Sequence, residues 1–590
     1  MRAMRVRRVV GGIVVLGALA WFLAAFVAGP FGTPACASEA PVGVRVDLRA
    51  LVVTADATAQ VARAWIGELT AEGTPYDVAA PGEVTAAALR DGTDHGRYQA
   101  LIVTSGGLLT PAQTAVLDQY QRDFGVRRID TPIAPGPAAP IALPPRITQL
   151  DGVVGRLTEA GRAVFPYLKG EIPIESAFGF LPAPSPAITA LVETDAGNPL
   201  VATVTQLDGR EELFVVPQLS PAVLHWRLLA HGLIGWASGG AHLGLRRAWL
   251  AMQVDDVFLP NFLWNPKTAQ TDHSVTASMT PRDVRRAAEW SKANDFRLDL
   301  GFNAFGRTPA LCQALVQHKA DFGWFNHTYS HLNLDTQPEA TLVDQIRDNV
   351  RWADEQHLPI DASELVTGAH TGLENPAMPA ALRAMGIDRI ASDASHELEP
   401  RDLGPARTVP RYPTNIYYDA ATVEQDLAEY NDRYFVHCTP SPTTTCFTKP
   451  ATWDQLIARE GETMLGHMLN NDPRTHYAHE SNLAADGILY PLLENALGRY
   501  RRYVSMPLLV PDLTESGAQL DRQQAWVEAV ADGAVTAWRS GHELHVTTTR
   551  SLLVPVTGVA TGGQRYGGER SGWVRVTPTA PLTVRTAAAG

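Results

Sequence analysis

Three short polar segments carry side chains whose types and spacing suit hydrolytic chemistry. The first is Gln253-Val254-Asp255-Asp256-Val257-Phe258, two adjacent carboxylates closing an apolar stretch. Neighbours within a strand point to opposite sides, but where the chain turns at a strand's end both can face one cavity. One carboxylate can then bind a metal ion while the other stays free as a base. An exposed acidic turn has the same composition. The second segment is Asn326-His327-Thr328-Tyr329-Ser330-His331. Histidines at i and i+4 share one face of a helical turn, so both imidazoles can reach one ion. Seventeen histidines in 590 residues give roughly 0.5 such pair by chance, so the pair draws its weight from its place after an apolar strand. The third is Asn471-Asp472-Pro473-Arg474-Thr475-His476-Tyr477-Ala478-His479, read as a polar loop before a helix. A departing amine needs a proton, and a histidine titrating near neutrality can donate one; surface histidines would read the same way.

The elements around these segments set the expected fold. From Arg247 onward the chain alternates strand and helix patterns. Strand-like stretches at 248–254, 297–302, 322–325, 365–367 and 387–392 are separated by helical stretches, one with Leu342, Ile346 and Val350 on a single stripe. Repeated βα units over roughly 250 residues predict a parallel barrel, complete or incomplete, whose chemistry gathers at the strands' C-terminal ends. Upstream, strands at 47–54 and 98–103 with a helix carrying Val61, Trp65 and Leu69 predict a doubly wound α/β unit. Ser105-Gly106-Gly107 is a glycine turn that could cradle an anion. Residues 131–146 hold six prolines and read as a linker or long surface loop. Strands at 187–194, 200–206 and 212–216 either finish the first unit or form a β-rich accessory one. The stretch from about Gly541 is β-rich.

The predicted fold class is therefore α/β: a central (β/α) barrel-like domain at 245–510, an N-terminal α/β plus β-rich accessory region at 44–240, and a small β-rich C-terminal segment at 540–590. Four basic residues, Arg2, Arg5, Arg7 and Arg8, precede an uncharged run from Val9 to Ala28, followed by Ala35-Cys36-Ala37. Residues 1–40 read as an export signal, or as an uncleaved membrane anchor, since twenty apolar residues can span a bilayer. Cys36 lacks a lipidation context. A secreted or extracytoplasmic location follows, and Cys438 and Cys446 bracket a Pro- and Thr-rich loop that a disulfide could close in an oxidising compartment; unpaired thiols are the other reading. Cys312 reads as a buried free thiol. The 49 basic and 62 acidic residues leave a net charge of −13, which argues against a nucleic-acid partner. No Gly-x-Ser-x-Gly elbow supports a serine hydrolase.

Asp-Asp closing a strand, then His-Thr-x-x-His, then a late histidine, in that order, resembles the NodB-homology polysaccharide deacetylases over about Ala248 to Pro507. Arg411-Tyr412-Pro413-Thr414-Asn415-Ile416-Tyr417-Tyr418 and His370-Thr371-Gly372-Leu373 are similar to the branch of secreted galactosaminogalactan deacetylases and their bacterial relatives. The resemblance implies that Asp256, His327 and His331 hold a divalent ion, zinc in most such sites. It implies Asp255 as base and His479, with His476 in second place, as the acid. The expected substrate is an N-acetylated polysaccharide containing galactosamine or glucosamine. His370, Arg411, Tyr412 and Trp324 are expected to line the substrate site, with Trp264 another candidate for sugar stacking. The sequence departs from the family where Gln253-Val254 and Val257 replace the usual Thr-Phe and Gly. The usual Arg-x-Pro-Tyr motif is also missing between His331 and Ser392; His370 lies near that place, and Arg411 comes later. An O-acetyl esterase on the same scaffold and a carbohydrate-binding envelope protein with a silent core are the other readings.

Overall fold

Seven short stretches, most of them buried, become the parallel strands of a barrel in the computed structural model, which describes residues 43–136, 139–441 and 444–587. They are β1 (Met252–Val257), β2 (Leu298–Phe302), β3 (Gly323–Asn326), β4 (Glu364–Leu365), β5 (Arg389–Asp393), β6 (Ala406–Pro413) and β7 (His476–His479). Each pairs in parallel with the next in chain order, except β3 with β4, and β7 returns to pair with β1. Between β3 and β4 the ladder thins to one backbone bond, Val366 N–H to the Asn326 carbonyl at 3.0 Å, so the barrel is nearly closed. The outer helices follow their local signals. Thr280 caps Pro281–Asn294 with a capping box to Asp283, and the Leu342, Ile346 stripe of Glu339–Gln356 is buried. Leu298, Leu300, Phe302 and Trp324 belong to the main apolar core, which supplies most of the driving force for closing the barrel.

The N-terminal strands join into one larger sheet. Ala50–Val53, Tyr76–Ala79, Ala100–Val103 and Arg127–Asp130 run parallel, with Gln60–Glu72 and Pro111–Phe124 as helices between them. Glu211–Val215 adds in parallel to Arg127–Asp130, and Val154–Leu157, Glu171–Pro173, Thr189–Glu193 and Pro199–Thr205 extend the same sheet antiparallel, for nine strands in all. The strands at 189–215 thus finish the first sheet. The C-terminal segment folds back: Val535–Ser540 pairs with Arg45–Asp47, and Leu552–Thr557 pairs with His242–Leu243. A long helix, Leu513–Ala531, precedes it and was not foreseen from the sequence. From the first described residue onward the chain forms one compact unit. The apolar run at 9–28 and Cys36 lie outside the described residues. Among the described residues no helix is long and apolar enough to cross a membrane. Cys438 and Cys446 form a disulfide, and Cys312 is a half-buried thiol.

A buried charge network stitches these layers together. His231, on the helix Leu224–Ala237, lies 2.8 Å from the Glu72 carboxylate and 2.7 Å from that of Glu569. Arg246 reaches Glu68 at 2.7 Å. Burial alone would lower the His231 pKa, but the two carboxylates outweigh it and raise it to about 10. Because the folded value exceeds the ordinary 6.5, this stabilisation is complete below pH 6.5 and is lost as pH rises through about 10. His231→Ala is expected to cost about 3–5 kcal/mol at neutral pH, because buried Glu72 would keep only the longer contacts to His242 and Arg246, each at 3.8 Å. In thermal unfolding the gap between wild type and variant should narrow above pH 10; a constant gap would remove the charged pair as its cause.

Candidate active site

The two carboxylates of β1 face one cavity because the strand stops being regular there. The pairing with β2 shifts register between Val254 and Val257, and Asp256 takes the left-handed conformation at φ 67°. A non-glycine residue in that region is uncommon, and such strain concentrates at functional sites. The turn is held by Leu259 N–H to the Asp256 carbonyl (2.7 Å) and Asn303 N–H to the Val257 carbonyl (3.0 Å). Glu480, fully buried, accepts from the N–H of Phe258 at 2.9 Å and of Met279 at 3.2 Å.

Asp256 presents one oxygen to each of two environments. Its Oδ2 accepts from the Asn261 amide at 2.8 Å. Its Oδ1 lies 3.1 Å from His327 Nε2 and 3.2 Å from His331 Nε2. The other ring nitrogen of His327, Nδ1, sits 3.1 Å from the Val366 carbonyl, which orients the ring with Nε2 toward Asp256. Among the described residues Asp256, His327 and His331 are the one group of three such side chains whose ligand atoms converge this closely. One carboxylate and two imidazoles match the donor set of a divalent transition ion with positions left open. Burial acts to raise the Asp256 pKa, yet the bonds from His327 and His331 hold it well below the usual carboxylate range. For His331 burial acts downward, and Asp256 nonetheless raises its value.

The histidine pair reaches this geometry by a different route from the helical turn its spacing predicts. Residues 327–331 leave the end of β3 in a non-helical turn, with Thr328 at φ 65° and His331 at φ 54°. Backbone capture explains the departure. The Asn303 amide donates to the carbonyls of His327 and Thr328, and the Asn326 side chain accepts from the Thr328 N–H at 2.9 Å. Gln345 takes the Ser330 N–H at 2.9 Å. The His331 ring lies against Gly368, where a Cβ would fall 2.7 Å from it, so only glycine leaves room for the ring.

Asp255 meets opposite charge. Gln253 and Asp255 share one face of β1, and Arg411 on β6 spans both: its Nη1 donates to Asp255 Oδ1 at 2.9 Å and its Nη2 to Oδ2 at 2.8 Å, with Gln253 Oε1 at 3.2 Å. Burial would raise the Asp255 pKa, but the guanidinium more than cancels it and holds the group at about 2. Arg411 is itself fully buried and serves Asp255, not the open face of the site. Its Nη2 also lies 2.9 Å from His370 Nε2, and burial together with this cation pushes the His370 pKa down to about 3, so His370 is neutral and accepts.

Residues 476–479 are a barrel strand, β7, and not a polar loop. Register pairs His479 with Asp255, so His479 faces the two carboxylates together with Tyr477. His476, on the alternate face, bonds His467 at 2.9 Å and is turned away. Burial lowers the His479 pKa, with Asp256 and Asp255 pulling it back upward. Three aromatic candidates lie elsewhere. Trp324 packs on Phe302 and Phe322 and donates to the Lys319 carbonyl; Trp264 is buried; Tyr412 stacks on His467 at 3.9 Å and donates to Asp472. Strand alternation places Tyr412 opposite Arg411. Asn261, Asn303, Gln345, Gly368 and Glu480 were not foreseen: Asn261 reaches Asp256 only because the chain turns between them, and the others act on backbone or rings far off in sequence.

No family model matches the chain. The crystal structure of the carbohydrate deacetylase Agd3 superposes with a TM-score of 0.75, covering 92% of this chain and 99% of that one at 19% identity, so the two share a fold. The bifunctional heparan sulfate N-deacetylase/N-sulfotransferase 2 of Bos taurus is 27% identical over 169 residues, which is 25% of this chain. The chain spans only 18% of the length of that relative.

Asn261→Ala should free Asp256 Oδ2 and lower affinity for a divalent ion about 10–100-fold, as loss of a ligand's orienting partner does. Competition with a chromogenic chelator reads this directly. Wild-type affinity in the variant would show that Asn261 does not orient the carboxylate.

Proposed function

We propose that this protein is a metal-dependent polysaccharide deacetylase that removes N-acetyl groups from a galactosamine- or glucosamine-containing polymer outside the cytoplasm. The observation that carries the reading is the convergence of Asp256, His327 and His331 beside a second carboxylate clamped by Arg411, with His479 facing both. The fold shared with a solved carbohydrate deacetylase supports it, and the N-deacetylase activity in the bovine relative's name favours the amide over an ester. The Cys438–Cys446 disulfide and the basic, then apolar, N-terminal sequence support an extracytoplasmic location, by secretion or by anchoring. We assign residues 245–510 to the deacetylase domain, with 44–240 and 540–590 as accessory regions.

Asp256, His327 and His331 would hold the ion, which we assign as zinc. When bound, such an ion polarises the acetyl carbonyl and makes an adjacent water more acidic. Asp255 takes the proton of the attacking water; Arg411 keeps it ionised through the neutral range and fixes both oxygens. His479 delivers a proton to the amine nitrogen as the carbon–nitrogen bond breaks. Acetate leaves, and the amino group remains on the sugar.

Metal-loaded protein should release acetate from N-acetylated hexosamine oligomers, and EDTA should stop it. His331→Ala should lose both metal and turnover, whereas Asp255→Asn should keep the metal and lose about 10²–10⁴-fold in kcat. Equal metal loss in the two variants would overturn the division of roles. Faster release from acetylxylan than from the N-acetylated oligomers would favour the ester as substrate.

A further inference from the structure

Three exposed aromatic side chains follow the C-terminal ends of barrel strands β1, β2 and β6. Phe305 is 66% exposed, Tyr418 44% and Phe262 40%. Each is tied to a group that builds the site. Phe305 follows β2, its N–H donates to the Tyr329 carbonyl at 3.0 Å, and its ring lies 5.8 Å from that of Tyr329, between the two histidines. Tyr418 stands with its ring 5.8 Å from that of His479, and its carbonyl accepts from Ser481 Oγ at 2.6 Å. Phe262 directly follows Asn261, the partner of Asp256.

Strand order places these rings on opposite flanks. Around the barrel β3 and β2 lie on one side of β1, and β7 and β6 on the other. Phe305 rises from the β2 side and Tyr418 from the segment after β6, with the Asp255–Asp256 pair between them. The backbone bonds above fix where each platform starts, so the rings are held in place while their faces remain wet. A pair of exposed rings flanking a polar centre suits a ligand that alternates apolar ring faces with polar edges, as a chain of pyranose sugars does.

We infer that Phe305 and Tyr418 are stacking platforms for the sugars on either side of the acetylated unit, so that the site takes internal units of a polymer in preference to a single sugar. This rests on the proposed deacetylase reading and names where the chain lies across that site.

The test compares metal-loaded wild type, Phe305→Ala, Tyr418→Ala and Tyr418→Phe on N-acetylglucosamine, N-acetylgalactosamine and the oligomers of each. Acetate release and calorimetric binding are both recorded. Phe178→Ala, an exposed ring away from the barrel rim, is the control. Wild type should prefer an oligomer to its monosaccharide by roughly tenfold or more in kcat/KM. Each alanine variant should lose roughly tenfold on the oligomer through KM and Kd, with monosaccharide rates, metal content and thermal stability near wild type. Tyr418→Phe should recover the affinity, since it keeps the ring face. Oligomer KM and Kd unchanged in both alanine variants would overturn the inference, as would wild type that prefers no oligomer. Ring-dependent oligomer binding without any acetate release would leave the platforms standing and overturn the deacetylase reading instead.

Discussion

Neighbouring side chains on a regular strand diverge, so a site that needs two adjacent carboxylates in one cavity must break the strand where they stand. The left-handed Asp256, the register shift against β2 and the three bonds that catch the turn do this together. Once the strand is broken, the two groups acquire opposite company. Asp255 is pinned by a guanidinium, whereas Asp256 keeps one oxygen bonded to an amide and turns the other to two imidazoles. Identical side chains thereby take up different chemistry through their partners alone.

The barrel makes that company available. Because the strands pair in chain order and β7 returns beside β1, groups more than 150 positions apart meet at one rim: Asp255 with His479, Phe258 with Glu480, Arg411 with Gln253. Beneath the histidine turn, Asn303, Asn326 and Asn349 exchange amide bonds with one another's segments, and all three are fully buried. Buried amides of this kind are tolerable only when bonded, and here they fix backbone that no regular ladder holds. The Gln253 that departs from the familiar motif has a use in this setting: its carbonyl oxygen accepts from Arg411 and from Thr475.

Much of this was readable in the residues. The alternating βα rhythm after Arg247 marked the barrel, the Leu342, Ile346 stripe marked its helix, and the Asp pair with the two histidines marked the site. What escaped reading shares a physical character. The turn at 327–331 is shaped by side chains of Asn303 and Gln345, so a local spacing rule chose a helix where distant bonds impose left-handed residues. Four-residue β7 was hidden by its histidines and flanking polar residues, which are buried only because the barrel closes over them. Trp324 and Tyr412 looked like sugar contacts by residue type; which face of a strand they occupy depends on register, which type does not disclose.

The pairing of Arg45–Asp47 with Val535–Ser540 bears on how the polypeptide is assembled in time. A ribosome delivers the first of these strands long before the second exists. That strand waits without its antiparallel neighbour until about 490 further residues have been made, and an open strand edge invites pairing with other chains. Contacts of such long sequence separation also form slowly. A carrier that keeps the chain unfolded until synthesis is complete would let both edges arrive together, which makes delayed folding an asset for this topology.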